Sequence, residues 1–156
     1  NQIFSYLLGG FDGSSWVRLA GAAPLILAGC VAITLRARSI NGLLLGEETA
    51  ANLGIDVRRE RAILLGLGSL VTAAAVAVSG LIGFVGLVVP HVVRLLVGPS
   101  ARLVLPLSAI GGAVLLTFAD LAARMLGEIP VGVVTAGAGG PFLIYLMIAV
   151  SRKASA

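Results

Sequence analysis

The 32 residues 62–93 contain no Asp, Glu, Lys or Arg, and this run constrains the chain more than any other feature. A helix crosses the hydrocarbon core of a bilayer with about 20 apolar residues, so the run is long for one span and short for two. Runs 19–35, 103–119 and 129–151 are each long enough for one span. With 58% hydrophobic and 12% charged residues in a chain of 156, a water-soluble domain is excluded. Gly is abundant at 21 residues and aromatics make up only 5%, which suits closely packed helices rather than a barrel with aromatic girdles. The expected fold is an all-α, polytopic membrane helical bundle.

The basic residues decide how often 62–93 crosses, because Arg and Lys in short loops collect on the cytoplasmic side. A single crossing puts Arg36, Arg38, Arg58, Arg59, Arg61 and Arg124 on one side and Arg18, Arg94, Arg102, Arg152 and Lys153 on the other, which is no bias. Two crossings with a turn at "SGLIGF" (79–84) leave only Arg18 and Arg124 opposite the other nine. The second arrangement predicts about five membrane segments, an external start and a cytoplasmic C-terminus. The helix beginning near Ala62 then turns at Gly80 and Gly83, and a short helix over 86–97 returns, interrupted or kinked at Pro90. Scattered in this way, the net charge of +4 fits membrane orientation and not a nucleic-acid-binding stripe.

The last run opens with "EIPVGVVTAGAGGP" (128–141), where Gly132, Gly137, Gly139 and Gly140 lie between Pro130 and Pro141. This density predicts a short helix, a glycine break and a final span over 141–150. A broken helix survives in a membrane only where protein or a water-filled path covers it, so these glycines are candidates for the lining of a pathway; their alternative role is helix packing.

The longest charged segment, 36–61, belongs to the cytoplasmic side in the two-crossing arrangement. Within it "GEETAANLG" (46–54) reads as a short helix: Glu47 and Glu48 suit its N-terminal end, Ala50 and Ala51 have high propensity, and Gly54 stops it. Taken alone, the segment fits either a solvated loop on the membrane surface or an element that docks into a partner.

The motifs "GEETAANLGI", "GFVGLVVPHVVR", "FADLAAR" and "EIPVGVVTAGAGGPF" occur here in one order and at one spacing, from about Tyr6 to the end. In that order they resemble the FecCD-type permeases of ATP-binding-cassette importers, the type II importers of iron chelates, haem or cobalamin. The resemblance covers the C-terminal half of a ten-helix permease, with 1–156 as half of its transmembrane domain and 36–61 as its cytoplasmic loop. The chain lacks an initiator methionine, which fits a piece of a longer protein. The resemblance implies a multi-pass protein of the bacterial cytoplasmic (inner) membrane. It implies a homodimer with a second permease subunit, two cytoplasmic ATPase subunits that bind ATP and Mg, and an extracytoplasmic substrate-binding protein. By position, Glu47, Glu48, Ala50, Ala51, Leu53 and Gly54 would form the helix that receives the ATPase movement, with Arg58 and Arg59 at its rim. Arg124 would be the docking arginine for acidic residues of the binding protein. No GxxxxGK[ST] loop is present and Lys153 is the sole lysine, so this chain is expected to hold no nucleotide and to be no enzyme.

Several residues carry plainer readings. His91 is the only histidine, without a second ligand at metal spacing, and is expected to be structural, with a backbone hydrogen bond. Cys30 allows no internal disulfide and is expected to pack. Trp16, after the turn "GGFDGSS", fits an interfacial anchor. Asp120 and Arg124 are four apart and suited to pairing, while an isolated intramembrane Asp120 is what an ion-coupled secondary transporter would use. Ser69 or Ser79 with His91 would be needed for an intramembrane hydrolase, and neither HExxH nor GxSxG is present. The choice among siderophore, haem and cobalamin is not written in these motifs.

Overall fold

A computed structural model describes the backbone of residues 16–127 and 129–154. Among the described residues seven helices follow one another: α1 (Trp16–Leu35), α2 (Ala37–Leu44), α3 (Glu47–Asn52), α4 (Val57–Ser79), α5 (Val85–Val97), α6 (Ala101–Met125) and α7 (Val131–Ala154). No strand occurs among the described residues. The turn expected before Trp16, and Glu128 of the last motif, lie outside them. Among the described residues three helices, α1, α4 and α6, are long and apolar enough to cross a membrane. At 13 residues, α5 extends only about 20 Å at 1.5 Å per residue.

Run 62–93 divides where the glycines suggested. Helix α4 ends at Ser79, whose hydroxyl donates to Ala75 O at 3.0 Å. Gly80 then takes φ +69° and ψ −167°, a backbone region open essentially to glycine alone. Phe84 also has positive φ, +67°, and its carbonyl accepts from the N–H groups of Leu87 and Val88 to open α5. Helix α5 passes through Pro90 without interruption. In a bilayer, one carbonyl lacking its partner costs less than exposing several backbone groups at a break.

The same balance corrects the reading of the last run. No break separates 131–140 from 141–150: α7 is one helix of 24 residues that includes Gly132, Gly137, Gly139, Gly140 and Pro141. Interior glycine costs about 1 kcal/mol relative to alanine, whereas unpaired backbone in hydrocarbon costs several kcal/mol per group. One of these glycines serves close packing instead: a Cβ on Gly139 would lie 2.3 Å from Cβ of Phe84.

Packing proceeds in pairs, α1 on α4 and α5 on α6, with α7 laid against α5 and α6. Gly29 is the point of closest approach in the first pair, where a Cβ would stand 2.2 Å from Cγ2 of Val71. Small residues let helix backbones approach closely, which is the main source of association where lipid removes the hydrophobic drive. Gly29→Leu should therefore destabilise the folded protein by about 1–3 kcal/mol through overpacking. Gly21→Leu on the same helix meets open space and should be near neutral, as thermal unfolding in one detergent would show. Cys30, expected to pack, is exposed, because its neighbour Gly29 occupies the packed face.

Two small buried clusters hold these helices, Val89, Val93 and Val104 between α5 and α6 near one end and Ala119, Ala123 and Val131 between α6 and α7 near the other. Elsewhere the exterior is apolar: Leu27, Leu65, Ile110 and Phe118 are exposed. Two hydroxyls on it are satisfied within their own helices, Thr34 donating to Cys30 O and Thr117 to Ala113 O, both at 2.8 Å.

The sidedness of the bundle follows from one hydrogen bond. Asn41 in α2 accepts through Oδ1 from the N–H of Ala101 at 2.8 Å, so α6 starts at the end that carries α2 and α3. That end is the loop end, and 80–84 lies at the opposite, turn end. In a Cys30→Ala background, cysteines at Ser39 and Ser100 should react with an impermeant thiol reagent from one side of a vesicle, and a cysteine at Met125 from the other. Equal labelling of Ser100 and Met125 positions from one side would overturn this arrangement.

Candidate functional site

At the loop end the chain leaves α1, forms α2, and reaches α3 through Gly46 at φ +105°. Glu47 and Glu48 occupy the first turn of α3, where they meet its positive end. Leu53 N–H bonds to Thr49 O and Ala50 O, and Gly54 at φ +77° turns the chain towards α4. Asp56 then caps α4 by accepting from the Arg59 N–H at 3.1 Å.

Six residues cannot hold a helix in water unaided, and the fold supplies the support. Ala50 is fully buried and forms its inward face. Arg61 reaches back from α4 to pair with Glu47, and Arg36 at the end of α1 pairs with Glu60 at 2.5 Å. Ile55 packs over Gly42 of α2, its Cδ1 2.4 Å from where a Cβ would be. Exposed on the segment are Glu47, Glu48, Ala51, Leu53 and Gly54, together with Thr49 and Asn52, and Arg58 and Arg59 are exposed beside it. Leu53, 64% exposed between acidic and basic residues, makes this face amphipathic.

Arg124 lies at the turn end, in the last turn of α6, where a cation is favoured by the helix dipole. Its Nε donates to Asp120 Oδ2 at 2.9 Å, and the arginine side chain is 59% exposed. Asp120 is thus a paired carboxylate near the end of a helix, not an isolated charge within the bundle.

A cavity of about 300 Å³ opens between α5, α6 and α7, lined chiefly by Phe84, Val85, Phe118, Val134, Thr135 and Phe142. The hydroxyl of Thr135 is committed to Gly132 O at 3.1 Å, so the lining offers no charge to a polar ligand. Of the four glycines expected together on a pathway, only Gly139 borders this cavity. Gly137 is exposed, and Gly132 lies more than a turn away on the same helix. His91, expected to bond to backbone, meets the ring of Phe142 edge-on, with centroids 6.2 Å apart and planes at 71°. No group of three His, Cys, Asp or Glu that could hold a metal occurs among the described residues.

Asn41, Gly42 and Ile55 are the residues that pattern reading passed over. "SINGLL" (39–44) contains Asn-Gly, ordinarily a turn signal, and Ser100 has the chemistry of an N-cap for α6. Here Asn-Gly lies inside a helix, Ser100 makes no side-chain cap, and Asn41 caps α6 from 60 residues away.

Residues 1–149 match the FecCD transport family. The chain belongs to the FecCD family. Among FecCD relatives, the "Cobalamin import system permease protein BtuC" of Halobacterium salinarum is 48% identical over 143 residues, which is 91% of this chain and 39% of the relative. The "Hemin transport system permease protein HmuU" of Yersinia pestis is 44% identical over 150 residues, 94% of this chain and 45% of its own length. The solved structure "An inward-facing conformation of a putative metal-chelate type ABC transporter" superposes with a TM-score of 0.88 at 33% identity. It is covered over 95% of this chain and 49% of its own. This FecCD chain therefore spans less than half the length of the curated relatives named here. It is a multi-pass membrane chain of a family of transport permeases.

Proposed function

We propose that this chain is the C-terminal half of the transmembrane permease subunit of an ATP-binding-cassette importer in a bacterial cytoplasmic (inner) membrane. Its cargo is an iron chelate, such as a siderophore complex or haem, or cobalamin. The observation that carries this reading is α3, a six-residue helix with an exposed amphipathic face, held on the bundle by a buried alanine and an ion pair. Such a helix fits a groove in a cytoplasmic protein better than it fits bulk water, and the nine basic residues assigned to this end suit the cytoplasmic side. Relatives named for cobalamin import and for hemin and ferric enterobactin transport support this cargo class.

In this reading the loop 36–61 faces the cytoplasm and α3 receives the movement of one of two ATPase subunits, which bind ATP and Mg. A second permease subunit completes the pathway, and an extracytoplasmic substrate-binding protein docks at the turn end near Arg124. The full-length permease, reconstituted in liposomes with its ATPase subunits and binding protein, should take up one of ferric siderophore, haemin or cobalamin only with ATP. Uptake driven by a proton gradient without the ATPase subunits would replace this reading with an ion-coupled one.

A further inference from the structure

We infer that Asn41 is a positioning residue that couples α3 to the far end of α6, an inference that rests on the importer reading above. Helix α2 touches a different element through each of two consecutive residues. Gly42 receives Ile55, the residue that follows the exposed segment of α3, so closely that no Cβ would fit between them. Asn41 accepts the N–H of Ala101, the first residue of α6. A displacement of α3 along its docking face thus has a stiff, short route: Ile55 pushes on α2 at Gly42, and α2 pulls on α6 at Asn41.

Helix α6 carries that displacement the length of the membrane. Its 25 residues extend about 37 Å at 1.5 Å per residue, from Ala101 at the loop end to Arg124 and Met125 at the turn end. On the way it buries Val104 against α5, and Ala119 and Ala123 against α7, and it forms one wall of the cavity. The ion pairs Glu47–Arg61 and Arg36–Glu60 tie the loop to α4 and to the end of α1, so neither reaches α6. Asn41 makes a side-chain hydrogen bond that does. Ser100, at the N-cap, makes no side-chain bond and could reach only the N–H of Arg102 or Leu103, so the N–H of Ala101 is left to Asn41.

The test uses the full-length permease with its ATPase subunits and binding protein in liposomes, and reads cargo moved per ATP hydrolysed. Asn41→Ala should lower that ratio by about 5- to 10-fold, the lower part of the range usual for coupling between sites. Asn41→Asp, which keeps an acceptor oxygen for the Ala101 N–H, should restore most of it. A ratio unchanged in Asn41→Ala would overturn the inference. So would an equal fall in hydrolysis and uptake, because it marks Asn41 as a cap that only stabilises the fold. If the wild-type complex moves no cargo with ATP, the importer reading itself fails, and this inference with it.

Discussion

Replacing Ala51 with arginine should abolish ATP-driven uptake by the full-length permease while leaving its insertion in the membrane intact. Ala51 lies on the exposed side of α3, whereas Ala50 beside it is fully buried against the bundle. A long cation at Ala51 therefore leaves the packing of α3 undisturbed and obstructs only what docks there. Truncation of a hot-spot residue at the centre of an interface costs about 2 kcal/mol or more, and a charged side chain inserted into a small groove is expected to be as severe, a loss of affinity of about 30-fold or more. Co-purification of the ATPase subunits with the permease, followed by uptake per ATP, measures both parts. Ala50→Arg supplies the contrast: it should disrupt the loop itself and lower the yield of folded protein. Normal assembly and normal coupling in Ala51→Arg would mean that α3 is a solvated loop on the membrane surface.

Arg124→Glu should weaken the association of the substrate-binding protein by about 1–3 kcal/mol, the range for a charge-assisted contact that is partly desolvated. The guanidinium is mostly exposed at the turn end, opposite α3, and Asp120 holds it in place through Nε. A bidentate contact to a carboxylate needs that planar group, so Arg124→Lys should recover only part of the affinity. The exposed intrahelical pair with Asp120 contributes about 0.3–0.5 kcal/mol to the helix, too little for its loss to mimic the docking effect. Binding measured at two salt concentrations distinguishes the possibilities. A steered contact weakens with salt in the wild type and not in Arg124→Glu, whereas unaltered affinity at both concentrations reduces Arg124 to a partner of Asp120.

Much of this architecture is legible in the residues themselves. Where a chain must satisfy every backbone group within hydrocarbon, apolar runs of spanning length become helices, and the distribution of eleven basic residues selects how a run of ambiguous length is divided. The turn at Gly80 and the short helix after Gly46 were written in glycines that take positive φ and in acidic residues suited to a helix start. These are local properties, and sequence carries local properties directly.

What sequence determined alone, then, was the all-α membrane class, the division of 62–93 and the position of α3. Only the tertiary structure decided the rest. The glycines of 132–140 looked like a break, and α7 runs through them, because one of them accepts Phe84 from another helix and the bilayer penalises unpaired backbone more than it penalises glycine. Asn-Gly at 41–42 carried no assignment in the sequence, and it is the joint between α2, Ile55 and α6. Ala50 and Ala51 are the same residue in sequence and opposite in role, one fully buried and one facing outward. Each of these outcomes depends on an atom contributed from elsewhere in the chain, up to 60 residues away for Asn41 and Ala101, and such a neighbour exists only once the helices have packed.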